Sequence, residues 1–150
     1  MKRALVLALL LLLAVPAAGA AGRDVWATVN VCDTADHPHE IGIRAALPER
    51  RSRAASLRFR VQYRDLSDGR WRYVRAADSG WRRARGSAQV GWSFAVAADD
   101  EPILRGVVLY RWSRHGEIVR RARRITEGGH RSTTGADPED FSAATCRIEE

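Results

Sequence analysis

Leu57-Arg58-Phe59-Arg60-Val61-Gln62-Tyr63-Arg64 alternates apolar and polar side chains over eight positions. Successive side chains of an extended backbone point to opposite faces, so Leu57, Phe59, Val61 and Tyr63 share one side and the arginines the other. A helix would scatter the same four apolar groups around its circumference. The stretch therefore reads as a strand with one face on a core. Upstream, Val25, Ala27, Val29 and Val31 alternate with Trp26, Thr28, Asn30 and Cys32, and Ile41 and Ile43 mark a short strand ending before Pro48. Downstream, Trp71 and Tyr73 follow the turn residues Ser67-Asp68-Gly69, and Val90, Trp92, Phe94 and Val96 alternate again.

Leu104, Val108, Tyr110 and Trp112 lie on one face of a strand from Ile103 to Ser113. The turn Ser113-Arg114-His115-Gly116 follows, with the glycine that a tight hairpin uses. Residues 117–126 fit two readings. Ile118, Ala122 and Ile125 have the spacing of an amphipathic helix, with Arg120, Arg121, Arg123 and Arg124 largely on its other side. They also fit a strand returning from Gly116. The strand is preferred, because the preceding apolar strand needs a partner and the loop has hairpin length. A polar loop over 128–140 and a last short strand from Phe141 to Ile148 complete the chain. No repeat or linker divides it. The expectation is an all-β fold: a single antiparallel immunoglobulin-like β-sandwich of about 7–8 strands spanning 21–150.

Over Val25 to Ile148 the chain resembles secreted bacterial immunoglobulin-like or fibronectin-type-III-like modules. The likeness rests on strand rhythm and on the hairpin from Tyr110 to Val119. It is similar in particular to exported actinobacterial proteins with one cysteine near each end. The resemblance implies a sandwich and carries no catalytic role. One departure stands out: antibody-type domains bridge two central strands around a buried tryptophan, whereas Cys32 and Cys146 lie in the terminal strands.

Met1-Lys2-Arg3, the apolar run from Ala4 to Val15 and the small tract Ala18-Gly19-Ala20 have the order of a secretory signal peptide, residues 1–20, cut after Ala20. The competing reading is a membrane anchor, but the apolar core of about 12 residues falls short of the roughly 20 that span a bilayer. No cysteine directly follows the cut, which disfavours a lipid anchor, and no second apolar run follows. The expected location is secreted, extracellular. Two cysteines in such a chain pair most simply as Cys32–Cys146, tying its first and last structured segments. Losing Lys2 and Arg3 takes 25 basic residues to 23 against 18 acids, a formal +5. Lys2 is the sole lysine; coding bias is preferred to selection for bidentate anion binding, because the arginines are spread along the chain rather than concentrated in one run.

Three groups of residues are candidates for function. His37 and His39, with Asp36 and either Glu40 or a distant His115 or His130, have the donor types of a Zn²⁺ or Cu²⁺ site. On an extended backbone the two histidines point the same way, although a polar surface loop contains the same residues. Arg58, Arg60 and Arg64 oppose the apolar face of their strand, as Arg105 and Arg111 do on theirs. If the strands are neighbours, these share an exterior face with some of Arg120 to Arg124, here Arg120 and Arg124, and that face attracts polyanions. Trp26, Trp71, Trp92 and Trp112 belong to alternating strands and are expected in packing. Trp81, after Ser79-Gly80, is the tryptophan expected to be an exposed contact. Signatures of hydrolases, zinc proteases and nucleotide enzymes are absent. Asp99-Asp100-Glu101 and Glu139-Asp140 are turn-like acids.

The function expected is a secreted, non-catalytic binding module for a cell-envelope polymer or another secreted protein, with no cofactor. Nucleic acid is not the expected physiological partner. The alternatives are a polyanion-binding protein using the arginine face and a small secreted metal-dependent enzyme around His37 and His39.

Overall fold

The computed structural model of the chain describes residues 25–48, 54–86, 88–97, 102–130 and 132–149. Residues 1–20, the segment expected to be a signal peptide, and the acidic run Asp99-Asp100-Glu101 lie outside them. Among the described residues the fold is all-β, with no helix. The strands are β1 (Trp26–Cys32), β2 (Glu40–Ala46), β3 (Ala55–Arg64), β4 (Trp71–Asp78), β5 (Arg82–Arg83), β6 (Gln89–Ala95), β7 (Ile103–Arg114), β8 (Glu117–Ile125) and β9 (Cys146–Arg147). Two antiparallel sheets result. One has the order β1-β2-β6; the other has β4-β3-β7-β8, with β5 also pairing β3 and β9 pairing β7.

Apolar alternation explains the pairing of the long strands. Leu57, Phe59 and Val61 of β3 and Leu104, Val108, Tyr110 and Trp112 of β7 are buried in one cluster. Val25, Ala27 and Val29 at β1 and Ile41, Ile43 and Ala45 of β2 complete that cluster from the other sheet. The core thus lies between the sheets. Tyr110 buries its ring there because its hydroxyl donates to the Trp26 carbonyl across the gap, 2.7 Å away. Desolvation holds its phenol well above the usual value.

Residues 117–125 are a strand, paired with β7 through Val107↔Ile125 to Arg114↔Glu117. The core partner available along β7 decides against the helical spacing of Ile118, Ala122 and Ile125. Strand propensity was less informative near the C-terminus. Of the stretch from Phe141 to Ile148, only Cys146–Arg147 forms a strand, and Ala143 adds a single bridge to Val29. Small and polar residues there (Ser142, Ala143, Ala144, Thr145) offer no apolar face to hold a longer ladder.

This terminal segment closes over β1. Asn30 donates to the Gly135 carbonyl at 2.6 Å, Thr28 shares a hydrogen bond with Ser142 at 2.7 Å, and Thr126 donates to the Ala144 carbonyl at 2.6 Å. Those contacts explain why Thr28 and Asn30, on the polar parity of β1, are as buried as the core. Cys32 ends β1 in one sheet and Cys146 begins β9 in the other. They pair at disulfide distance, with Cα atoms 5.4 Å apart. The covalent tie therefore crosses between sheets.

Candidate functional site

Residues directly opposite in an antiparallel ladder share a face, so the pairing register defines the exterior of the larger sheet. One row runs Arg83, Ser56, Arg111, Arg121. The next contains Arg58, Leu109 and Arg123, and the third Asp78, Arg60, Val107 and Ile125. Beyond them come Tyr73, Gln62 and Arg105, then Trp71 and Arg64. Arg58, Arg60, Arg64, Arg105 and Arg111 are thus brought onto one surface.

Arg120 and Arg124 are not on it. They pair with Trp112 and Val108, whose side chains enter the core, and so project from the opposite side of β8. Arg120 lies 4.8 Å over the Trp112 ring, and Arg124 Nε donates to the Val25 carbonyl at 3.0 Å. The exterior arginines of β8 are Arg121 and Arg123. Parity counted from Ala122, the one residue of the run that packs on the core, gives the right pair.

Aromatic rings organise the face. Arg60 stacks 3.6 Å from the centroid of Tyr73, Arg105 4.1 Å from Trp71, and Arg111 4.1 Å from Trp81. Each stack contributes about 0.5–1 kcal/mol at an exposed site. It also occupies the flat face of the guanidinium and leaves the N–H edge pointing away from the ring. Trp81 is 38% exposed, with Arg111 against one side of its ring. Among the four strand tryptophans only Trp112 belongs to the core. Trp71 and Trp92 lie at or near sheet edges, where Arg105 and Arg82 cover their rings, and Trp26 stacks on His130 at 4.4 Å. Arginine stems and guanidinium planes have taken the packing role that a second layer of apolar residues would fill.

The charge on this face is unbalanced. Asp78 accepts from Arg58 Nε at 2.7 Å and from its Nη2, and lies 3.4 Å from Arg60. The Arg58 hydrogen bond, helped by the Gly80 amide, lowers the Asp78 pKa to about 2. Among the described residues Arg83, Arg111, Arg121 and Arg123 have no carboxylate partner. Arg111 and Arg121 are directly opposed, an arrangement of like charges that costs stability. Burial and then the charge of Arg123 lower the pKa of Arg105.

A pH dependence follows from Asp78. Its folded-state pKa is depressed, so its contribution is complete above the unfolded value near 4 and is lost as pH falls toward 2. Asp78→Asn is expected to cost about 1 kcal/mol at pH 7, after allowing for solvent screening. Stability curves of the variant and the parent should converge as pH falls from about 4 to about 2. Curves that stay parallel between pH 7 and pH 2.5 would show that the pair contributes nothing.

His37 and His39 lie in a loop between β1 and β2, not on the extended backbone that would align them. His39 has φ of 56°, and its amide donates to Asp33 Oδ1 at 2.6 Å. The turn breaks the alternation that would align His37 with His39. Hydrogen bonds from the Glu149 and His39 amides hold the Asp33 carboxyl below its usual pKa. His37 Nδ1 approaches Glu40 Oε1 at 3.7 Å, His115 sits in the β7–β8 turn, and His130 is stacked on Trp26. Among the described residues no three His, Cys, Asp or Glu side chains come together as metal ligands.

A scan of protein-family models and searches of curated proteins and of solved structures return no match to this chain.

Proposed function

We propose that the chain is an exported, non-catalytic binding module that holds an acidic cell-envelope polymer against the exterior of its larger sheet. The observation that carries this reading is the row Arg83, Arg111, Arg121, with Arg123 beside it and no carboxylate partner for any of them among the described residues. Such a surface concentrates positive potential, and stacking on Tyr73, Trp71 and Trp81 holds several guanidiniums in place before a ligand arrives. A flexible anionic chain laid across the strands would relieve the repulsion between Arg111 and Arg121.

The immunoglobulin-like sandwich belongs to the same proposal. Strands β1, β2 and β6 lie together, as do β3, β7 and β8, which is the division of the first, second and fifth strands from the third, sixth and seventh in that architecture once two-residue β5 and the edge strand β4 are set aside. Unlike the constant-type domain, β4 pairs with β3 and so widens the arginine-bearing sheet. Export is supported by the N-terminal pattern of charge, apolar run and small residues, and by the cysteine pair at disulfide distance.

Binding of poly-L-glutamate and of polygalacturonate across a salt series tests the reading. Affinity is expected at low ionic strength, with log K falling linearly against log salt. Arg121→Glu with Arg123→Glu, both exposed, should weaken binding on the order of 100-fold and flatten the slope, with an unchanged melting curve. No binding of either polymer at about 20 mM salt rejects the proposal.

A further inference from the structure

The exterior of the smaller sheet carries a different feature, centred on Arg44. Glu40, Gly42 and Arg44 share one parity of β2; across the ladder Gly42 meets Ser93 and Arg44 meets Gly91. Val31 packs over Gly42, where a Cβ would lie 2.8 Å from Val31 Cβ, and the guanidinium covers Gly91. The fit around that guanidinium is close. A Cβ at Gly91 would lie 2.7 Å from Arg44 Cζ, and one at Gly135 would lie 2.7 Å from Arg44 Nη2. Arg44 therefore rests on β6 and abuts the terminal segment, in a position that any side chain at either glycine would obstruct.

Among the described residues this guanidinium has no carboxylate partner. Its Nε is buried without a hydrogen bond, and among the described residues Arg44 makes no ion pair. Burial lowers its pKa, with no carboxylate to offset the effect. Holding a charge partly out of water without compensation costs stability, and an arriving anion would offset that cost. Beside Arg44 opens a cleft of about 400 Å³, bordered by Asn30, His37, Glu40, Ser93 and Gly135. Asn30 is committed to the Gly135 carbonyl and fixes one wall. The Ser93 side chain is exposed and makes no hydrogen bond among the described residues.

A guanidinium without a carboxylate partner binds a carboxylate or a phosphate, donating its remaining N–H groups to it. Glu40 decides between them. A dianion would meet its negative charge at the far end of the cleft, whereas a molecule with a carboxylate at one end and an ammonium at the other satisfies both groups. Residues 40 and 44 are separated by about 13 Å along an extended strand, a span that two side chains and a dipeptide-sized molecule fill. We propose that this cleft binds a small zwitterion of dipeptide size, its carboxylate on Arg44 and its ammonium facing Glu40. The site lies on the opposite sheet from the arginine face and does not depend on polymer binding there.

Glycylglycine titrated into the folded, oxidised protein at pH 8, followed by amide ¹H–¹⁵N shifts, tests this. Saturable shifts are expected at Gly91, Ser93 and Gly135, with a Kd in the millimolar range. Arg44→Gln should raise the Kd by about tenfold or more. Gly91→Ala keeps the charge but displaces the guanidinium, so it should weaken binding similarly and serves if Arg44→Gln does not fold. Glu40→Gln should weaken glycylglycine and strengthen succinate, a reversal that a purely structural glutamate would not produce. Inorganic phosphate should bind more weakly than glycylglycine to the parent. The proposal is overturned if glycylglycine gives no saturable shift by about 50 mM. It is equally overturned if phosphate or succinate is preferred by the parent, or if the Kd is the same in every variant. Arg121→Glu with Arg123→Glu should leave the glycylglycine titration unmoved.

Discussion

Replacing Cys32 and Cys146 together by alanine is expected to lower the unfolding free energy by about 4 kcal/mol and the melting temperature by roughly 10–15 °C. The bridge closes a loop across a sequence separation of 114 residues. In the chain-entropy account a loop of that size restricts the unfolded chain by about 4–5 kcal/mol, with native strain able to reduce the figure. Local structure gives a second reason. Strand β9 has two residues and pairs with β7 only at Ile103 and Leu104. Cys146 and Ile148 are nevertheless buried in the core. Two apolar side chains and two ladder positions are a slight hold for a chain end, and the covalent tie keeps them seated. Without it, noncovalent contacts must hold the segment, among them the Val29–Ala143 bridge and the hydrogen bonds of Thr28 with Ser142, Thr126 with Ala144, Asn30 with Gly135 and the Glu149 amide with Asp33. Hydrogen exchange in the double variant should accelerate first over residues 141–149, before β3 and β7. Reduction of the parent should reproduce the melt of the variant. A loss below about 1 kcal/mol would mean that these noncovalent contacts already determine where the chain ends.

What the sequence reveals about this protein depends on how much a single strand decides for itself. Strands β3 and β7 were legible because their core-facing apolar side chains fall on one parity, so period and face are both readable from the chain. The arginines of β8 were not. A run with arginine at 120, 121, 123 and 124 has positive charge on both parities. Which pair faces outward is set by the register against β7, including a shift between Trp112 and Ser113. Trp71 and Trp92 misled for a related reason. Alternation shows that a ring stands on a given side of a strand, but not that the strand is at a sheet edge where an arginine covers it. Arg44 carried less signal still. Its parity is ordinary for a polar strand residue, and its isolation arises from Gly91 and Gly135, which are distant in sequence. The relative direction of His37 and His39 was not legible either, because His39 takes a left-handed backbone that sequence spacing does not encode.

Gly106→Val is expected to destabilise the protein by about 3 kcal/mol, the upper end for forcing carbon into a packed core. Gly106 stands on the inward parity of β7, between Leu104 and Val108. Its backbone is not in the left-handed region, so space rather than conformation requires glycine here. A Cβ at this position would sit 2.6 Å from Thr126 Cγ2 and 2.8 Å from Ile43 Cδ1. Neither neighbour yields cheaply. Ile43 is fully buried in the opposite sheet. Thr126 accepts from the Gly106 amide at 3.0 Å and donates to Ala144, so rotating its methyl away sacrifices both bonds. Glycine removes a side chain from the inner face of β7 here, and Ile43 of the opposite sheet fills the space left. A cycle of variants separates crowding from any effect on the unfolded chain. Thr126→Ser keeps the hydroxyl and deletes the clashing methyl, while Ile43→Val deletes Cδ1. In that combined background Gly106→Ala should cost at least 1 kcal/mol less than in the parent, as coupled neighbours do. Strict additivity of the three changes would place the cost in the unfolded chain instead. The contact between Gly106, Ile43 and Thr126 would then lose its role in setting how closely β7 approaches β2.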